Sequence, residues 1–176
     1  MPLSDERPVP AVLLRPLRPD DLAVHASGCD DLVDRWVNGG RTSTTEEHLA
    51  WLERMADAWR ARADVVDLAV EDAATGEHVG VVGIQRGLSY LRPGEVNLTY
   101  TLYAGRRGCG HATAATRAAM RLAAAQAPVT RFLIRCAPAN HASAAVARRL
   151  GFRHVGIVAE PDGWSGDRYV CDVENG

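Results

Sequence analysis

The run Arg106-Arg107-Gly108-Cys109-Gly110-His111-Ala112 constrains this 176-residue chain more than any other stretch. Before it, Val96, Leu98, Tyr100 and Leu102 alternate with Glu95, Asn97, Thr99 and Thr101, the two-residue period of a strand. After it, an alanine-rich segment runs to about Ala127 and is ended by Pro128, which reads as a helix. Glycines let successive backbone amides turn toward one point, and the helix start adds free amides and its dipole. Strand, glycine loop and helix together predict a nest for a phosphate or diphosphate. An ordinary flexible turn uses the same residues, so the loop alone does not name its guest.

Exclusion narrows the guest. All 20 basic residues are arginine, so the chain has no lysine for a phosphate-binding P-loop, a Schiff base or pyridoxal phosphate attachment. A dinucleotide-binding loop needs glycine or alanine three residues after its second glycine, where Thr113 stands. It also needs an acid ~20 residues on for the ribose, and no acid occurs between Glu95 and Glu160. Lysine codons are AT-rich, so a GC-rich bacterial genome accounts for the all-arginine usage.

The remaining pattern predicts one domain over residues 1–176, with a flexible stretch at 1–10. A first strand covers 12–17, and Pro19-Asp20-Asp21 starts a short helical region broken at Gly28 and Gly39-Gly40. Thr44-x-x-Glu47 is a capping box opening a helix whose apolar face is Leu49, Leu52, Met55 or Ala56, and Trp59. Strands follow near 67–71 and 78–85, then 95–103, 131–136, 154–159 and 168–173, with a helix from Asn140 to Leu150 stopped by Gly151. The order predicts an α/β fold with a central mixed sheet of about six to seven strands flanked by helices.

Charge is divided along the chain. Residues 1–95 hold 10 arginines against 17 acids, residues 96–159 hold 9 arginines and no acid, and residues 160–176 hold 1 arginine against 5 acids. The basic middle segment points to an anionic ligand. No apolar run spans a bilayer, and the acidic, proline-containing start is no secretory signal, so a cytoplasmic protein without membrane or nucleic-acid partners is expected. The four cysteines lie far apart with no CxxC and read as reduced thiols, and the six histidines are scattered, so no metal site is expected.

Arg107-x-x-Gly110-x-Ala112 resembles the coenzyme A pyrophosphate signature of the GNAT N-acetyltransferase superfamily. Pro138-x-Asn140-x-x-Ser143 followed by Leu150-Gly151-Phe152 resembles that family's next motif, and the capped helix and paired strands fall in the same order. The resemblance covers essentially the whole chain and is closest to the branch that acetylates ribosomal-protein N-terminal alanine. It implies acetyl-CoA as donor, no metal, and direct attack of a primary amine on the thioester, in a monomer or homodimer. Arg107, Gly108, Cys109, Gly110, His111, Ala112 and Thr113 would surround the pyrophosphate, mainly through backbone amides. The strand end at Leu102 and Ala104 would pair with the pantetheine arm and offer an amide to the thioester oxygen. Asn140 would bond the pantetheine arm, although an asparagine there also makes a good helix N-cap. Ser143 would sit near the sulfur and help protonate the thiolate.

The sequence departs from the family at its acid and its base. Where many relatives carry a tyrosine for the thiolate stands Ala147, Val155 replaces a glutamate before Gly156, and Asn97 replaces a strand glutamate. Glu95, on the same strand face as Asn97, is the substitute base the sequence offers. His141 and His154 are further candidates. The loops at 36–44 and 160–167 would shape the acceptor, and Asp30, Asp31, Asp34, Glu46 and Glu47 beside them favour a cationic amine or basic peptide N-terminus. A larger donor such as succinyl-CoA, or a noncatalytic acyl-CoA sensor, are the rival readings, the second drawn from the missing tyrosine and glutamate.

Overall fold

The computed structural model describes residues 9–173, so most of the 1–10 stretch lies outside the described residues. In chain order the elements are β1 (Val12–Pro16), a 3-10 turn (Pro19–Asp21), α1 (Leu22–Gly28), α2 (Asp31–Trp36), α3 (Thr45–Arg60), β2 (Val65–Asp72), β3 (His78–Gln85), β4 (Glu95–Leu102), α4 (His111–Gln126), β5 (Arg131–Cys136), α5 (His141–Arg149), β6 (Arg153–Ala159) and β7 (Ser165–Asp172). They form one seven-stranded mixed sheet, as the sequence pattern implies, and its strand order is β1-β2-β3-β4-β5-β7-β6. Every neighbouring pair is antiparallel except β4 with β5.

That parallel pair positions the site. It is in register only at Glu95↔Arg131, Val96↔Phe132 and Asn97↔Leu133, after which the two strands separate. The second half of β4 therefore has β3 on one edge and an open split on the other.

Helices cover both sheet faces. Against one lies α4, whose Ala115, Ala119 and Ala123 bring its axis close to Leu68, Val82, Ile84, Val96 and Leu98. On the other, Leu52 of α3 packs against Leu17, Ala69, Val81 and Tyr103. The Thr44–Glu47 capping box forms as predicted. The buried stripe of α3 is His48, Leu52 and Ala56, whereas Leu49 and Trp59 are only half-buried, because strict four-residue spacing keeps one line against the sheet. No helix is long and apolar enough to cross a membrane among the described residues.

Candidate active site

A cleft of about 1610 Å³ opens along the β4–β5 split and continues under α1, α2 and α3. Single-ligand sites typically measure ~300–1,000 Å³, so this one has room for two substrates side by side.

The loop after β4 forms one end of it. Gly108 and Gly110 take φ of 78° and 90°, a left-handed backbone that glycine adopts without strain. Among the described residues, no backbone amide from Arg107 through Thr113 finds an acceptor; the first that does is Ala114, which donates to Gly110 O. Gly110 caps α4 without a side chain, so the helix start is left open to a ligand. This is the anion nest that the glycine spacing predicts.

Two side chains of the loop serve the protein instead. The Arg107 guanidinium donates to both Asp30 oxygens (2.6 and 2.8 Å) and, through Nε, to Leu102 O (2.9 Å). His111 is buried, with Nε2 2.8 Å from Asp72 Oδ2, which ties the α4 start to the end of β2. Their backbone amides are left without acceptors. Cys109 is exposed.

The strand end needs one correction. Ala104 N–H donates to Gly28 O (3.1 Å), so that amide is engaged by α1 and is not free for the thioester. Tyr103 N–H donates to Val79 O, which makes 79/103 a hydrogen-bonded pair of the antiparallel ladder. By alternation, the N–H groups of Tyr100 and Leu102 point away from β3, into the split.

Asn140 is the N-cap of α5, its Oδ1 accepting from Ser143 N–H (3.1 Å). Ser143 Oγ lies 2.9 Å from the Tyr100 hydroxyl, which also donates to Ser143 O (3.0 Å). Burial pushes the Tyr100 phenol above its ordinary pKa, so it stays protonated. Ala147 is fully buried in the core and takes no part in the cleft. A tyrosine hydroxyl thus reaches Ser143 from β4, a source that family position does not reveal.

Glu95 lies elsewhere. It is 6% exposed at the start of β4, its carboxylate accepting from Arg92 N–H (3.0 Å) and pairing with Arg131 (3.2 Å) and Arg168 (3.7 Å). It lines a separate hollow with Tyr90 and Glu160, not the cleft. The strand pairs with β5 just there, which closes off the path to the split. His141 is exposed, and His154 binds Asp167 (2.8 Å) on the β6–β7 ribbon.

The cleft does contain a carboxylate that sequence reading passes over. Asp67, in the middle of β2, lines it, and burial, partly offset by the Thr99 hydroxyl, pushes its pKa up to about 6. The available signals were a lone acid inside Val65-Val66-Asp67-Leu68-Ala69-Val70 and a glycine inside Val81-Val82-Gly83-Ile84.

The rest of the cleft is walled by Trp36, Trp51, Trp164 and Arg135, with Trp164 from the expected 160–167 loop and Trp36 the last residue of α2, where the 36–44 segment begins. The acids expected to steer a cation are largely engaged. Asp30 caps α2 and holds Arg107, which depresses its pKa to about 2; Asp34 is bonded to Thr42 and Asn38; Glu47 pairs with Arg41. Asp30→Ala therefore removes a helix cap worth ~1 kcal/mol, and differential scanning calorimetry should show Tm lowered by about 2–4 °C. His25, Cys29 and His48, scattered in the sequence, place their ligand-type atoms within 4.8 Å of one another beside the cleft. Burial holds His25 down to about 4 and, with Asp34 and Asp30, Cys29 up to about 11, so these two are uncharged at neutral pH. The His25 ring stacks on Trp51 as part of the wall.

Comparison with solved structures finds the same fold. AAC(6′)-Ib in complex with paromomycin and acetyl-CoA matches with a TM-score of 0.74 at 23% identity over 92% of this chain and 93% of that one. RimL, a ribosomal L7/L12 α-N-protein acetyltransferase in complex with coenzyme A, matches with a TM-score of 0.74 at 19% identity, over 95% and 97%. The microcin C7 self-immunity acetyltransferase MccE, in complex with acetyl-CoA and AMP, matches with a TM-score of 0.72 at 17% identity, over 93% of this chain and 93% of that one. A search of curated proteins finds no significant match. The acetyltransferase (GNAT) domain family matches residues 11–153, from β1 to the start of β6, and the chain belongs to that family.

Proposed function

We propose that the protein transfers the acetyl group of acetyl-CoA to a primary amine by direct attack, with the thioester lying in the β4–β5 split. The observation that carries this reading is the unbroken series of acceptor-free amides from Arg107 through Thr113 beside that split. A diphosphate on these amides directs the pantetheine arm between the separating strands. The Tyr100 and Leu102 amides face the thioester oxygen there, and one such preorganised donor contributes roughly 3 kcal/mol as charge develops. Tyr100, held as a phenol and bonded to Ser143, supplies the proton to the departing thiolate from the α5 side.

The two sheet faces divide the labour. Even-numbered positions of β4 put Tyr100 toward α4 and α5, while Asn97 and Thr99 face the cavity under α1 and α3. The amine thus approaches from one face and the thiolate is protonated on the other. The likeness to RimL supports a protein N-terminus as acceptor, and that to AAC(6′)-Ib with paromomycin supports a small molecule; both lie within the amine class assigned here.

Thiol release from acetyl-CoA, followed with a panel of tyramine, spermidine and an alanine-terminated peptide, tests this function. Amine-dependent release is expected. Absence of release, together with absence of acetyl-CoA binding, overturns it.

A further inference from the structure

The face of the sheet beneath α1 and α3 carries a group of oxygen atoms that the cofactor reading leaves unused. Cross-strand register aligns Asp67 with Gly83 and Gly83 with Thr99, and Gln85 with Asn97 two pairs further along, on the same face. Side chains of Asp67, Gln85, Asn97 and Thr99 therefore share one face, and all four line the cleft. A Cβ at Gly83 would collide with both Asp67 Oδ1 and Thr99 Oγ1, so these two atoms meet over the glycine. The glycine lets the carboxylate reach from β2 across β3 to the edge of β4, where the split begins.

Asn97 adds an independent sign of a ligand. It is 2% exposed, and its Nδ2 donates to Gln85 Oε1 (2.8 Å), yet its Oδ1 is buried with no partner. An orphaned acceptor of this kind is destabilising unless something donates to it. Among the described residues Asp67 makes no ion pair within 4.0 Å, whereas Asp30, Glu47 and Glu95 each have an arginine.

The charged and titratable groups near this recess are few. From α3, Glu47, His48 and Arg54 line the same cleft, with Glu47 held by Arg41. From β5, Arg135 stacks over Tyr90 (3.5 Å) and Trp164 (4.6 Å) and pairs with Asp162. From β3 and β4, Val81, Gln85, Asn97, Thr99 and Thr101 line it on this face, while the titratable Tyr100 lines the cleft from the opposite face of β4. A recess that offers three oxygen acceptors, and in which no cation of the described residues pairs with Asp67, matches an alkylammonium group, with its three N–H donors and one positive charge.

We infer that Asp67, Thr99 and Asn97 form the seat of the acceptor's primary ammonium, and that Asp67 removes the proton that frees the amine for attack. This rests on the proposed function, since it places the seat on the amine side of the thioester. The ammonium gives one proton to Asp67 and becomes a neutral amine. Its lone pair forms the C–N bond at the thioester carbon, the C–S bond breaks, and Tyr100 protonates the sulfur. The second proton lost from nitrogen restores Tyr100 through solvent, and Asp67 returns its proton to water, leaving amide, free thiol and one proton. A carboxylate whose burial raises its pKa to about 6 is ionised at neutral pH and still a stronger base than an exposed aspartate.

Two measurements test the seat. In the first, the ¹³C signal of the Asp67 carboxyl is titrated in the cofactor-free protein with methylammonium chloride or with potassium chloride at equal ionic strength. The midpoint should fall with methylammonium only, and Thr99→Val should weaken that response. Identical midpoints in the two salts overturn the seat, and this arm stands whether or not any amine turns over. In the second, Asp67→Asn should lower kcat/KM for the best amine of the panel by about 10²–10⁴-fold and abolish the rising limb of its pH profile. Acetyl-CoA binding should be unchanged, and Tm at pH 7.5 should be equal or higher, because the variant no longer confines a charge. Retained turnover with the same pH limb, or a lost rate accompanied by a lower Tm, overturns the base role. Failure of wild-type thiol release and of acetyl-CoA binding would instead count against the proposed function.

Discussion

Acetyl-CoA at one hundred times its dissociation constant should stabilise the protein by ~2.7 kcal/mol. For a chain of this size that corresponds to about 5–11 °C in Tm. Gly110→Asp should eliminate the shift, because it places a carboxylate where the amides at the start of α4 converge. The variant also carries a side chain at φ 90° and close to Pro10 Cδ, so its own Tm falls somewhat. Circular dichroism of the variant separates that local strain from loss of fold. A wild-type protein with no shift at millimolar acetyl-CoA would remove the anion nest from the account, whatever the loop geometry.

Tyr100→Phe should reduce turnover by about 10²–10⁴-fold, the usual worth of a positioned general acid. The ring remains, so packing against the core and acetyl-CoA affinity should hold. Ser143→Ala should produce a smaller loss, since Ser143 acts by bonding the phenol through Oγ (2.9 Å). The two act as a unit, so the double variant should be no slower than Tyr100→Phe alone. Additive losses in single-turnover kinetics would show that each residue contacts the sulfur by itself. Full activity of Tyr100→Phe would return the acid role to Ser143.

The loop of open amides was readable because backbone geometry makes it. Glycines at 108 and 110 dictate φ, the helix start dictates free amides, and neither depends on a distant residue. The seven-stranded mixed sheet was readable for a similar reason, as two-residue alternation in 95–102 and the capping box at Thr44 are local codes. The acceptor half depends on what the sheet brings together. Asp67 and Thr99 are separated by two strand crossings and meet only because residue 83 lacks a side chain. Glu95 looked equivalent to Asn97 by alternation, yet β4 is still paired with β5 at that point and Arg131 and Arg168 take its charge. Alternation assigns a face, and the point of strand separation decides which residues on it reach substrate.

Asp30 links two regions that would otherwise be ordered independently. With one oxygen it accepts from Val33 N–H to start α2, and with both it grips Arg107 of the diphosphate loop. Filling the loop therefore also steadies the helix that borders the acceptor cavity. The second ligand to arrive finds part of its ordering cost already met, which makes the two binding events cooperative. Linkage requires the effect to be mutual, with acceptor tightening acetyl-CoA by the factor by which acetyl-CoA tightens acceptor. The expected kinetic consequence is a preferred sequence of arrival, donor before acceptor, set by a single guanidinium–carboxylate pair remote from the bond that is made.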